Sequence, residues 1–285
     1  MTLRSPLLAG LFAFVATVLA SPDVMAQGKR AIEHVKGDVY RFQNNFHHAM
    51  FVVTGDGIVV TDPINADAVA WLKAELKKRF DKPVTHMVLS HFHGDHASGG
   101  MAWGDITVVA HQRTKDHVEA GKTDTAVPNE TFEQTHSFST GGKTFELTYL
   151  GKGHSDDLIA TIVRPENVAF VVDAVSPGRL PYRDFPGTDI GALIDQIKKV
   201  ESLDFEILAP GHSRLGSKQD ATDTRVYIET LRDAVKAALA AGQSVDDIIA
   251  SDIVSDYRKW GAYEQWRELN IRGMARWLKE TGQAG

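Results

Sequence analysis

The stretch Val84-Thr85-His86-Met87-Val88-Leu89-Ser90-His91-Phe92-His93-Gly94-Asp95-His96 decides how the rest of the chain is read. Its first six residues follow Pro83 and lead into a polar loop containing glycine, a pattern that predicts a buried strand ending at the loop. Three histidines and one aspartate then fall within His91–His96. Side chains at a strand end converge on the mouth of a sheet, where α/β proteins place their chemistry. Imidazole and carboxylate are ligand types suited to zinc and neighbouring divalent cations. Bunching four such groups is costly unless a cation compensates them, so the stretch predicts a metal site.

Towards the N-terminus the pattern from Gly37 to Pro63 is β, with Ala49–Val53 and Ile58–Thr61 flanking the turn Thr54-Gly55-Asp56-Gly57. Asn65 is placed to cap a helix through Phe80, whose Val69, Leu72, Leu76 and Phe80 share one face. Beyond the histidines a short helix near Trp103, a strand over Ile106–Ala110 and a helix over Gln112–Ala120 are expected. Residues 121–130 lack periodicity and read as a linker between two halves. Thr131–Phe138 and Thr144–Leu150 predict a second hairpin. Strands over Leu158–Val163 and Val168–Val172, a helix from Asp189 to about Ser202 and a short strand Phe205–Ala209 follow. From Gln219 onward the chain reads as helices, broken near Gly242 and Gly261.

Polar groups recur at equivalent places. His91, His93, Asp95 and His96 follow one apolar run, His154 precedes another, Asp173 ends a third and His212 follows a fourth. A lone histidine is more often a hydrogen-bonded surface group, and a lone aspartate after a strand is often a helix cap. Seven such residues at strand ends favour the metal. His34, His86, His111, His117 and His136 have no companion in sequence and read as structural.

Composition bounds the partners. The chain has 285 residues, 43% hydrophobic and 24% charged, which describes a globular protein with room for a large core. A net charge of −6 without a Lys/Arg cluster argues against nucleic acid and anionic membrane surfaces and leaves a small molecule as the partner. Residues 1–26 read as a signal peptide: Arg4, the apolar run Leu7–Ala20 and small residues at Val24-Met25-Ala26, with cleavage after Ala26 or, alternatively, Ala20. That run falls short of the roughly 20 residues that span a bilayer. The expected location is periplasmic or secreted, with residues 27–285 forming one domain and a helical extension from about residue 217. There is no cysteine, so a metal site would use only nitrogen and oxygen.

His91-Phe92-His93-Gly94-Asp95-His96 resembles the H-x-H-x-D-H signature of the metallo-β-lactamase superfamily. Gly153-His154-Ser155, the strand ending in Asp173 and Pro210-Gly211-His212 follow in that superfamily's order. The resemblance covers roughly Val39–Leu215. It implies an α/β (α+β) fold, a four-layer αββα sandwich, and a pair of divalent ions, zinc by default, with iron or manganese compatible with a site lacking thiolate. By that match His91, His93 and His154 hold one ion, Asp95, His96 and His212 the other, and Asp173 bridges them. Three imidazoles leave one tetrahedral position open, as catalytic zinc sites do, and a two-metal centre lowers the pKa of a shared water. Asp95 could also orient the nucleophile or carry its proton.

The same resemblance leaves the substrate open. Well-studied β-lactamases of the superfamily have Cys at the position of Asp173 and Lys at that of Ser176, and homoserine-lactone lactonases have Tyr at the latter. A lactone or ester hydrolase is therefore expected ahead of a β-lactamase. A glyoxalase II-like thioesterase, a mononuclear-iron persulfide dioxygenase and a non-enzymatic metal-binding protein are the other readings. Expected substrate contacts are Arg179, Tyr182 and Arg183 in the Pro- and Gly-rich loop Ser176–Thr188, and His48 in the first hairpin.

Overall fold

A computed structural model describes residues 29–284, so the expected signal peptide lies outside the described residues. The chain begins with β1 (Arg30–Lys36), β2 (Val39–Asn44), β3 (His47–Val53), β4 (Ile58–Thr61) and α1 (Ala66–Phe80). β5 (Val84–Val88) leads into the histidine loop and the one-turn helix α2 (Gly94–Ala97). A 3-10 turn (Gly100–Trp103), β6 (Thr107–His111), α3 (Gln112–Glu119) and β7 (Glu130–Phe132) complete the first half. These seven strands form one sheet in sequence order, antiparallel from β1 to β4 and parallel from β4 to β7.

The second sheet is built from β8 (Thr135–Thr140), β9 (Lys143–Tyr149), β10 (Ile159–Arg164), β11 (Val168–Phe170) and, after α4 (Ile190–Ser202), β12 (Ile207–Ala209), in the order β12-β11-β10-β9-β8. Three helices close the chain: α5 (Lys218–Ala240), α6 (Val245–Ala250) and α7 (Tyr263–Glu280).

Strand alternation divides the side chains between layers. In β3, Ala49 and Phe51 face an outer cluster with Val69, Leu72 and Leu76 of α1, whereas Met50 and Val52 join the core between the sheets. β4 repeats this, with Ile58 and Val60 outward and Val59 inward. On the other side α4, α5 and α7 bring Ile194, Leu231 and Met274 against the second sheet. The result is helix, sheet, sheet, helix, as the layer rules require when each sheet must bury both faces. Each large aliphatic side chain buried this way stabilises the fold by about 1.5–3 kcal/mol. Asn65 caps α1 as expected, its Oδ1 accepting from Ala68 N at 2.8 Å.

Three expectations need correction. The β region starts earlier than Gly37, because Arg30–Lys36 pairs with β2 as an edge strand. The stretch Thr131–Phe138 is not one strand: Glu130–Phe132 pairs with β6 in the first sheet, and Thr135–Thr140 begins the second. Residues 121–130 are not a free linker. Thr125 Oγ1 accepts from Gly100 N at 3.1 Å, and the Thr123 hydroxyl donates to the Phe92 carbonyl, so this segment braces the histidine loop.

Candidate metal centre

The strand ends of both sheets meet at one place. The carbonyl of Ser90, just beyond β5, accepts from Ile159 N at the start of β10 at 3.0 Å. The loop after β12 reaches the same point because Gly211 carries no side chain: a Cβ there would lie 2.6 Å from Cε1 of His96. Asp173 follows β11 with φ +61, a conformation that aspartate tolerates better than most residues and that turns its carboxylate into the cluster.

Asp173 sits between two groups of ligand-type atoms. Its Oδ2 is 3.6 Å from Nε2 of His91 and 3.1 Å from Nε2 of His154, and the latter is 2.9 Å from Nδ1 of His93. Its Oδ1 is 3.3 Å from Nε2 of His96 and 3.1 Å from Nε2 of His212. Asp95 Oδ2 lies 3.3 Å from His212 and 3.7 Å from His96. The groups His91/His93/His154/Asp173 and Asp95/His96/Asp173/His212 each bring their donor atoms within 4.8 Å of one another. All seven residues expected to converge do so.

Hydrogen bonds behind the cluster fix which ring nitrogens face inward. Asp62, buried after β4, accepts from Ser90 N at 2.8 Å, Ser90 Oγ at 2.6 Å and His96 Nδ1 at 3.0 Å. Because the Ser90 hydroxyl spends its proton on Asp62, it accepts from His91 Nδ1 at 3.0 Å. Both His91 and His96 thereby donate from Nδ1 and turn Nε2 into the cluster, the arrangement that orients metal-binding imidazoles. His212 Nδ1 donates to the Phe46 carbonyl at 3.2 Å, to the same effect.

The donor set fits a cation. Nε2 of His91 and Oδ1 of Asp173 are buried with no hydrogen-bond partner among the described residues, a costly state that an ion would relieve. Burial holds His91 well below the ordinary imidazole value and His93 down at about 4, so both favour the neutral form that ligates. Burial also opposes charge on His96 and His212, but Asp173 and Asp62 carry His96 well above its usual value, and Asp173 with Asp95 raises His212 to about 9. Burial pushes Asp173 and Asp95 up. It is outweighed by the charges of His96 and His154 at Asp173, and by hydrogen bonds from His212 and His47 at Asp95, so both carboxyls sit well below the usual range. Protons and a divalent cation compete for these lone pairs.

A cavity of about 540 Å³ opens over the cluster. Asp95, His93 and His212 line one end, and Arg179, Tyr182 and Trp266 are among the residues lining the rest. Arg179 has no acidic partner within ion-pair distance among the described residues; its guanidinium lies 4.4 Å over the Trp266 ring and donates to the His212 carbonyl at 2.9 Å. Two expected substrate contacts are not brought to the cavity. Neighbours on a strand face opposite sides, so His47 lines the cavity, its Nε2 3.6 Å from Asp95, while His48 turns towards Arg41 and the Gly211 carbonyl. Arg183 is exposed, at φ +46, and lies beside Tyr182 rather than within the cavity lining.

Other residues escaped the sequence reading. Asp62 had a signal, since it closes an apolar strand as Asp173 does. Asp157 had none: fully buried, it accepts from Phe92 N and Thr114 Oγ1, both at 2.8 Å, and ties the His154 loop to the histidine loop. His117 does have a companion, with Nε2 2.7 Å from Asp156. That pair also contacts Arg113 and Lys122, so the group is a hydrogen-bonded brace.

Two facing sheets flanked by helices, with histidines and aspartates gathered at their strand ends, define an αββα metalloprotein. The model of the metallo-beta-lactamase superfamily matches residues 44–212, more than half of the chain, and the protein belongs to that superfamily, among its metal-dependent hydrolases. It is 26% identical over 171 residues to metallo-beta-lactamase type 2 of Elizabethkingia meningoseptica, covering 57% of this chain and 66% of that protein. It is 24% identical over 177 residues to metallo-beta-lactamase IND-1 of Chryseobacterium indologenes, covering 54% and 70%. The fold matches that of a metallo-beta-lactamase from Pontibacter korlensis with a TM-score of 0.63 at 18% identity, over 70% of this chain and 99% of that one.

Proposed function

We propose that this protein is a dinuclear metallo-hydrolase that opens an acyl bond, a lactone or ester ahead of a β-lactam. The observation that carries the proposal is the divided carboxylate of Asp173, with one oxygen turned to His91 and His154 and the other to His96 and His212. His91, His93 and His154 would hold one divalent cation and Asp95, His96 and His212 the other, with Asp173 shared. When bound, such a pair supplies Lewis acidity and an acidified water at neutral pH, and zinc is the ion best suited to it.

The chain's own groups do the rest. Asp95, ionised and facing the cavity, is placed to orient the attacking water, take its proton and pass it to the leaving oxygen. Arg179, a cation at the cavity wall with no acidic partner among the described residues, is placed to hold an anionic end of the substrate. Tyr182, largely exposed at the rim, is a second polar contact.

The β-lactam reading is the second, favoured by the names of the two relatives and opposed by Asp173 and Ser176. A panel of lactones, esters, thioesters and β-lactams offered to the metal-loaded protein separates the two. Lactone or ester turnover is expected to exceed β-lactam turnover, and the reverse order would overturn the preference. The Arg179→Gln variant is expected to raise KM for carboxylate-bearing substrates about tenfold while sparing neutral ones; equal effects on both would remove Arg179 from that role. We also infer export, from the composition of residues 1–26. No helix among the described residues is long and apolar enough to cross a membrane. N-terminal sequencing of the mature chain is expected to begin at Gln27, and a chain retaining Met1 would refute cleavage.

A further inference from the structure

We propose that α7 forms the specificity wall of the cavity and that Trp266 selects substrates whose acyl group carries an aromatic ring. The proposal rests on the hydrolase reading for its substrate but not for its binding site.

The superfamily match ends at residue 212, so α7 lies beyond it. Yet the segment from Gly261 to Arg276 holds the cavity loop after Asp173 along its length. Gly261 N donates to Gly178 O at 2.8 Å, and Leu180 N donates to Gly261 O at 3.0 Å. Asn270, fully buried, donates from Nδ2 to the carbonyl of Pro181 at 3.1 Å and to that of Arg183, while its Oδ1 accepts from Tyr227 at 2.7 Å. Gly273 lets the helix touch the loop backbone, since a Cβ there would lie 2.3 Å from Asp184 O. Arg276 donates to that same carbonyl at 2.6 Å.

This clamp brings one α7 side chain to the cavity: Trp266. Its ring is braced by Tyr182 in an edge-to-face contact at 5.2 Å and covered by Arg179 at 4.4 Å. Phe46, 77% exposed at the β2–β3 turn, gives the same cavity a second aromatic surface. Trp266 is thus a half-buried ring held in place by its neighbours, and Phe46 is the open aromatic face that a ring on the ligand would cover. The cavity therefore pairs a hydrolytic end with an aromatic one, and an aromatic acyl group fits both.

Two readouts test this. In binding, by isothermal titration to the metal-loaded protein, 4-phenylbutyrate is expected to bind about tenfold tighter than butyrate. Trp266→Ala is expected to reduce that ratio to about twofold, and Trp266→Phe to keep most of it, with metal content unchanged in both. In turnover, the kcat/KM ratio for phenylbutyrate over butyrate esters is expected to fall in parallel, through KM. A binding ratio unchanged in Trp266→Ala would overturn the proposal even if esters are hydrolysed. A ratio that falls as expected in a protein that hydrolyses no ester would uphold it while removing esters from the proposed substrates.

Discussion

At the metal end of the cavity the side chains come from loops at strand ends, and His91 and His96 are locked by buried hydrogen bonds. At the far end the loop from Ser176 to Gly187 has no regular structure and takes its shape from α7. The metal end is fixed by groups close to it in the sheets, such as Asp62 and Ser90 behind His91 and His96. The far end depends on contacts between segments more than 80 residues apart, such as Asn270 with Pro181. Metal binding and substrate choice should therefore be separable by mutation.

The largest effect is expected at Asp62. Asp62→Ala removes the acceptor that orients His96 directly and His91 through Ser90. Supporting groups of this kind typically contribute about 10–100-fold in metal affinity. Competition with a chromophoric chelator measures it, and wild-type affinity in the variant would place the orienting role elsewhere. Asn270→Ala acts on the other region. It leaves two loop carbonyls and the Tyr227 hydroxyl without their partner, at a cost of about 3 kcal/mol in stability. Thermal denaturation should show the loss and limited proteolysis should open the 176–187 loop, while metal content stays at the wild-type level. A parallel loss of metal would mean the two regions are one unit.

The contrast also explains what the sequence made legible. His91–His96, His154, Asp173 and His212 stand out because ligand chemistry needs particular residue types and strands end in recognisable patterns. The outer and inner faces of β3 and β4 were legible for the same reason. Trp266 and Asn270 were not, since an apolar residue and an amide on a helix have nothing local to mark them as neighbours of a loop far earlier in the chain. The assignment of His48 instead of His47 failed on a single-residue alternation. The separation of Glu130–Phe132 from β8 failed because both pieces carry the same β pattern and only pairing partners distinguish them.

The smallest effect concerns His48. Burial, followed by the neighbouring charge of Arg41, lowers it from 6.5 to about 3, so the folded protein keeps it neutral. The unfolded chain binds a proton there below about 6.5 and the folded one only near 3, so stability from this site is complete above pH 6.5 and declines as pH falls towards 3. His48→Gln should flatten the dependence of melting temperature on pH between about 6.5 and 4. An unchanged slope would show that His48 is not buried neutral.

The central claim is that one chain holds two metal ions across Asp173. Elemental analysis of the purified, reconstituted protein, coupled to native mass spectrometry, measures this directly. The account predicts two divalent ions per chain, zinc foremost, and about one in an Asp173→Ala variant. A single iron per chain with oxygen consumed during turnover would contradict it in favour of dioxygenase chemistry, and less than one ion of any kind would remove the metal centre from the mechanism.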